Sequence, residues 1–522
     1  MRPLTVFHLD MNFSALRTDV IRGMLEFAAS AGYDAVLWEL ENKVRWKTCP
    51  EIADPEAMSR EEFRNLLDYA ASLGLESIPL LQSFGHAEYV LMHGKYASLR
   101  EQPEHPDCYC VSNPGTRAFL SSLIREYLEL FGSERLRYFH LGGDEAYVFG
   151  TCPLCSSQEK NSLYAQHIRA LAESLLLPLG IRPGIWSDMV LRHPESIECI
   201  PKDFVMWDWN YGDGIPLPPT ASSREDSPSS GESSSSGNSL SSGTVSSPEP
   251  FPTADFLSGA GYDVILSSAS RSWCDSPFLP AWEIHLRNIA GAAWKVRRHS
   301  LAGHCVTSWA IRLVPYELQK PLIDSAPRFS GEEDLLSDPS GFSAVCRDSI
   351  RKCWGLPGLF SGPQARLFSV DPELRIFTAI QWNGLKDSTL PPPGFLSEKF
   401  RSEQGAGLWN SFRKRIPERI AVLEEFPRLF PLNAGENPNP EFQTCFREAV
   451  FLEKGFWKIL GILAEVETFS VPPGRKTLLL ETLQTLKQDM FSHLLREQRP
   501  GSAEKNALLV FQPLIEFCSG AH

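Results

Sequence analysis

The chain has 522 residues, of which 43% are hydrophobic and 11% aromatic, enough for a large core and more than one domain. Its formal net charge of -14 argues against binding a phosphate backbone or an anionic membrane surface, and leaves neutral ligands open. Its 12 cysteines, with a strand-like run at Leu4 instead of an apolar leader and no stretch long enough to span a membrane, predict a cytoplasmic, reducing setting.

Residues 4–10 read as a first strand. A helical period through Val20, Met24, Phe27 and Ala31 follows, closed by Gly32. Asp34 to Leu40 is the second strand. Ser59 and Glu62 form a capping box ahead of Phe63, and Gly74 ends that helix. Glu76 to Gln82 is the third strand. A long loop then reaches Asn113-Pro114, a cap with proline at the first helical position, and a helix to about Phe131. The fourth strand is the β-favouring run that begins at Tyr138 and ends in Gly142-Gly143-Asp144-Glu145. After a helix over Asn161 to Leu177, strands five to eight fall at 183–186, 204–207, 263–267 and 303–309, with a strong helix from Trp282 to Val296 between the last two.

Strands alternating with helices in this way predict an α/β fold, a (β/α)₈ TIM barrel over residues 1–325. Residues 217–250 are Ser, Pro and Gly with almost nothing to bury, and are expected to be a disordered insertion. From 326 to 522 strand signals fade. Amphipathic helices over 407–425, 440–468, 475–497 and 506–518 predict an α-helical C-terminal domain.

In such a barrel, chemistry gathers at the carboxyl ends of the strands. Those ends carry Asp10, Glu39, Glu41, His86, His140, Asp144, Glu145, Trp186, Asp188, Trp207 and Trp309. Acids converging on indole faces suit a sugar, whose C–H patches cover aromatic rings while its hydroxyls meet carboxylates. Alone, an Asp-Glu pair after two glycines reads equally well as a helix N-terminus. Cys108-Tyr109-Cys110 and Cys152-Pro153-Leu154-Cys155 lie in loops after adjacent strands, a pairing that suits a tetrahedral structural zinc.

The segment His140-Leu141-Gly142-Gly143-Asp144-Glu145 resembles the signature of glycoside hydrolase family 20, the β-N-acetylhexosaminidases. Further segments resemble the family in the same order: Phe7-His8-Leu9-Asp10, Glu39-Leu40-Glu41-Asn42, and the run from Ile78 to His86 with Glu88, His93 and Leu99-Arg100-Glu101. Trp186-Ser187-Asp188-Met189, Arg287-Asn288 with Trp294, and Thr307-Ser308-Trp309 extend the resemblance, which lies nearest the hexosaminidase D branch.

The resemblance implies exo-acting, substrate-assisted retaining hydrolysis of terminal GlcNAc or GalNAc, with no cofactor for catalysis. Glu145 would be the general acid and base, and Asp144 would hold the 2-acetamido group. Trp186, Trp207 and Trp309 would wall the acetamido pocket, and His86 would pair with Glu41. Glu41, His86, His140, Asp188 and the three tryptophans are the expected substrate-binding set. Where the family carries an arginine at the end of the first strand, Asp10-Met11-Asn12 stands instead, and Tyr211 is a candidate for the acetamide's hydroxyl partner.

The expected partner is a glycan or glycoconjugate bearing N-acetylhexosamine, with no nucleic acid or membrane, and a homodimer as the assembly to test. Two rival readings are a non-catalytic sugar-binding relative and a metal-dependent hydrolase using His8, Asp10, His86 and His140.

Overall fold

The computed structural model describes residues 2–212, 214–215, 249–272, 275–276, 278–309, 313–332, 339–356, 394–425 and 439–520. The insertion expected at 217–250 lies outside these residues except for its last two. Glu249 accepts from Lys295 Nζ at 2.9 Å and pairs with His299 at 2.8 Å, and Pro250 is buried.

The expected barrel is present. Its strands are β1 (Leu4–Asp10), β2 (Ala35–Glu39), β3 (Glu76–Leu80), β6 (Tyr138–His140), β7 (Arg182–Trp186), β8 (Val205–Trp209), β9 (Asp263–Arg271) and β10 (Gly303–Ser308). They pair in parallel in the closed order β1-β10-β9-β8-β7-β6-β3-β2. The register sets Asp10 opposite Glu39, Glu39 opposite Leu80 and Leu80 opposite His140, so the chemistry-bearing ends share one level. Val6, Leu37, Ile78, Leu80, Trp186, Val205, Trp207, Ile265 and Cys305 pack together as a filled lumen.

The helix signals in the sequence act where they stand. Helix α1 (Thr18–Ala31) ends at Gly32, whose left-handed φ of 102° returns its N–H to the carbonyls of Ala28 and Ala29. Helix α2 (Arg60–Ser72) is capped by the Ser59 hydroxyl accepting from Glu62 N. Helix α4 (Pro114–Phe131) is capped by Asn113 accepting from Gly115 N; the short α3 (Glu88–Leu91) precedes it.

One element was absent from the sequence reading. The loop after β3 contains an antiparallel hairpin, β4 (Arg100–Gln102) and β5 (His105–Tyr109). The remaining barrel helices are α5 (Lys160–Leu175), α6 (Asp188–Arg192), α7 (Thr253–Gly259), α8 (Trp282–His299) and α9 (Tyr316–Phe329). The boundary placed at residue 325 falls inside α9, which runs straight across it.

The C-terminal region is helical: α10 (Pro339–Trp354), α11 (Phe395–Arg401), α12 (Glu403–Phe412), α13 (Ile416–Glu424), α14 (Pro440–Leu463), α15 (Lys476–Leu494) and α16 (Pro500–Ser519). The helix expected over 407–425 is broken between α12 and α13, where Pro417 opens a new first turn. Helix α16 starts six residues earlier than expected, at Pro500. Its apolar face and those of α14 and α15 join the barrel helices in one continuous core.

Candidate active site

At the carboxyl end of β6 the chain turns sharply through two glycines. Gly142 has φ 64°, and a Cβ there would stand 2.1 Å from Gln82 Oε1, so only glycine fits. Gly85 is as tight: a Cβ would lie 2.0 Å from the carbonyl oxygen of Asp144. The loops after β3 and β6 are therefore pressed together, with His86 beside Asp144 and Glu145. Among the described residues five are left-handed without being glycine; Phe251 and Ser300 lie elsewhere, and Glu41, His86 and Glu145, with φ of 43°, 50° and 47°, lie here. That costly conformation at three strand ends around one pocket marks positions held for something other than packing.

Asp144 is 5% exposed. Its Oδ2 lies 3.6 Å from His86 Nε2, while its Oδ1 is buried with no hydrogen-bond partner among the described residues. Burial pushes its carboxyl up to about 7; His86 pulls it down and Glu145 and Glu39 add to the rise. Glu145 is the more open acid. Its Oε2 is 3.2 Å from His86 Nε2, its Oε1 accepts from Tyr147 OH at 2.7 Å, and its backbone N–H donates to Asp188 Oδ2 at 3.0 Å. Asp188 is pushed up to about 7 by burial and by the charge of Asp144. Burial alone would lower His86, yet Asp144 and Glu145 outweigh it and hold the imidazole well above its usual value. His86 thus lies between the two acids, and both favour its protonated form.

The expected pairing of His86 with Glu41 is not formed. The carboxylate partners of His86 are Asp144 and Glu145. Glu41 sits past the end of β2 in its left-handed turn, where its carbonyl accepts from Trp46 Nε1 at 2.7 Å. Its carboxyl is raised by burial and by Glu39 and Asp10, and lowered by Lys43. The β2 acid that joins a network is Glu39, which meets His8 Nε2 at 2.9 Å and Gln82 Nε2 at 2.8 Å. Burial pushes Glu39 up to about 7 and His8 down to about 4, so the imidazole meets Glu39 through a hydrogen bond as a neutral ring rather than as half of an ion pair.

Three of the strand-end tryptophans come together. Trp186 lies 5.5 Å from Trp309 and 6.1 Å from Trp207 between ring centroids. Trp186 and Trp207 are fully buried at the top of the lumen and form a floor, while Trp309 is partly open. Trp309 Nε1 donates to Tyr211 OH, and Tyr211 stacks on Trp209 at 5.5 Å. His140 is fully buried against Trp186 at 4.3 Å. Its Nδ1 accepts from Gly142 N at 3.0 Å, and burial keeps it well below its usual value, so it is a neutral wedge behind the floor. His8, Asp10, His86 and His140 do not form a metal-binding group among the described residues.

The cysteine loops do meet, with one substitution in the set. Glu101, Cys110, Cys152 and Cys155 present ligand atoms within 4.8 Å of one another, a group that could hold a metal ion. Cys108 is not among them: its Sγ lies against the carbonyl of Tyr109, 3.6 Å away. Glu101 takes the fourth place because β4 pairs with β5 and brings it there, and that pairing was not visible in the sequence. Tyr147, also missed, lies just two residues beyond the acid pair.

The family model described as glycosyl hydrolase family 20, catalytic domain, matches residues 37–216. Human Hexosaminidase D is 30% identical over 223 residues, covering 40% of this chain and 45% of that protein. Bovine Hexosaminidase D is 28% identical over 225 residues, covering 41% of this chain and 64% of that protein. The chain thus spans less than two thirds of the length of either relative. Among solved structures, Flavobacterium johnsoniae chitobiase aligns with TM-score 0.48 at 17% identity, over 97% of this chain and 78% of that one. Streptomyces plicatus N-acetyl-beta-hexosaminidase aligns with TM-score 0.46 at 15% identity, over 69% and 70%.

Proposed function

We propose that this chain, whose residues 37–216 match the glycosyl hydrolase family 20 catalytic domain, is an exo-acting β-N-acetylhexosaminidase that removes terminal GlcNAc or GalNAc from glycans or glycoconjugates. The acetamido oxygen of the substrate attacks the anomeric carbon while Glu145 protonates the leaving oxygen. The glycosidic C–O bond breaks, giving an oxazolinium ion and an alcohol. Glu145, now a carboxylate, takes a proton from water, which adds to the anomeric carbon and restores the acetamide with retained configuration.

The observation that carries this reading is the unpartnered Oδ1 of Asp144, buried beside Glu145. A buried carboxylate oxygen without a donor is costly, and an acetamido N–H supplies one. The same contact balances positive charge as the oxazolinium forms. In this reading Trp186 and Trp309 offer apolar faces for the acetamido methyl, and the Tyr211 hydroxyl, which accepts from Trp309 Nε1, donates to the acetamido oxygen. His86, within 3.6 Å of Asp144 and 3.2 Å of Glu145, offsets the charge of both acids. No cofactor takes part in these steps, and a zinc ion in the cysteine cluster would brace loops rather than meet the substrate.

The test is a panel of aryl β-glycosides of GlcNAc, GalNAc, glucose and galactose. The N-acetylated sugars should be cleaved and the plain ones barely at all. Similar rates for glucoside and N-acetylglucosaminide would reject the acetamido nucleophile. Binding of the sugars with no aryl release would leave a sugar-binding protein.

A further inference from the structure

The hairpin after β3 and the loop after β6 meet at a second buried spot. Cys110 follows directly on β5, while Cys152 and Cys155 lie in the stretch beyond Tyr147. Cys110 Sγ is 3.4 Å from Cys152 Sγ and 3.8 Å from Cys155 Sγ. Glu101 Oε2 is 3.4 Å from Cys155 Sγ. Zinc binds thiolate at about 2.3 Å in a tetrahedron, which puts its sulfurs about 3.8 Å apart. The Cys110–Cys155 separation equals that spacing and the Cys110–Cys152 separation falls just inside it, so the sulfurs can share one ion with little movement. They are not at the spacing of a disulfide, about 2.05 Å, and all three are free thiols.

The surroundings are shaped for the same purpose. Cys155 N and Ser156 N both donate to the carbonyl of Cys152, at 3.0 and 2.8 Å, a tight turn that brings the two sulfurs of Cys-x-x-Cys to one side. Glu101 is 2% exposed. Its Oε1 accepts from Thr151 N at 2.7 Å and Cys152 N at 2.9 Å, which fixes the carboxylate and leaves Oε2 aimed at the sulfurs. Three thiolates and a carboxylate leave a doubly negative site around a zinc ion, and those two N–H groups lie next to it. Thiolates select a soft ion, and hard cations such as magnesium or calcium want oxygen donors throughout.

We propose that Glu101, Cys110, Cys152 and Cys155 hold one zinc ion, a structural cross-link between the β4–β5 hairpin and the loop that carries Glu145 and Tyr147. This assignment does not depend on the sugar chemistry, and its readouts are metal content and spectra.

The full chain, purified without added metal or chelator, should carry about one equivalent of zinc by elemental analysis. Exchange for cobalt should give a thiolate charge-transfer band with the intense visible bands of a tetrahedral ion. Cys110→Ser and Cys152→Ser should lose the zinc, Glu101→Gln should release it at lower chelator concentration, and Cys108→Ser should keep it. Zinc near zero, with the three thiols reacting freely in the native protein, would overturn the site. So would a disulfide between Cys110 and Cys152 in mass spectra of freshly purified protein. Loss of zinc in Cys108→Ser with full retention in Glu101→Gln would reject this donor set. Should the serine variants fail to fold, the parent's zinc content and cobalt spectrum still decide the matter.

Discussion

Glu39, Asp144 and Asp188 each have a carboxyl pushed up to about 7, with burial as the first cause. In the unfolded chain such groups titrate near 4, so between about pH 4 and about pH 7 the folded protein holds more protons. Their linkage makes stability greatest at the acid side and erodes it as pH rises through 7. The raised His86 works in the same direction: its contribution is complete below its unfolded value and is lost as pH climbs through the folded one. Asp144→Asn removes one of these groups. It should favour the folded state more at about pH 8 than at about pH 5, by on the order of 1 kcal/mol, and shift Tm accordingly. An equal Tm change at both pH values would show that Asp144 is ionised throughout. Activity separates the two acids in another way. Glu145→Gln should abolish cleavage of poor leaving groups yet spare some release of activated aryl groups, whose departure needs little protonation. Asp144→Asn should slow both classes together, by roughly 10²-fold. Kinetics on one good and one poor leaving group check both.

Among elements, the barrel was legible because its strands are short, β-favouring runs alternating with amphipathic helices, several of which carry their caps in sequence, at Gly32, Ser59 and Asn113. The pocket was legible for the same reason, since strand ends are fixed once strands are found. The hairpin β4–β5 was not. Arg100-Glu101-Gln102 and His105-Pro106-Asp107 lack apolar alternation, and Pro106 speaks against a strand except at an edge. Glu101 and the true partners of His86 depend on how loops fold against each other, and no local pattern encodes that. The segment at 217–250 carries a prediction at this scale. Replacing 217–247 by a short Gly/Ser bridge should leave Tm and activity nearly unchanged, because its composition offers no core residues. Extending the cut through residue 250 should lower Tm. It removes Glu249 from Lys295, whose side chain is fully buried, at a cost of roughly 1–3 kcal/mol. Thermal melts of the two deletions side by side distinguish them.

Across the whole molecule, the C-terminal helices hold the loop that follows β1. Leu16 bridges Gln498, Arg17 N donates to Glu497 O at 2.9 Å, and Arg499 N donates to Ala15 O at 2.8 Å. Ala15 N donates to Ser502 Oγ at 3.0 Å, and Glu56 accepts from Gly501 N and Ser502 N in the first turn of α16, at 3.0 and 2.6 Å. Asn506, fully buried, donates to Phe13 O at 3.3 Å and to Gln498 Oε1 at 2.8 Å. Asn506→Ala orphans these acceptors and should cost about 1–3 kcal/mol. Chemical denaturation reads the change, and a variant as stable as the parent would mean that the clasp is decorative.

The clasp also has an order in time. Its two halves are more than 480 residues apart in the chain, so one is made first and must wait for the other. A chain made only as far as α15 contains every barrel strand, yet its loop at residues 11–17 lacks the partners at Glu497, Gln498, Arg499 and Ser502. A contact of such separation comes late, when loop closure is most costly and apolar surface has been exposed longest. Order in the first loop is therefore gained after the strands beside it have paired, once residues 497–506 dock on it.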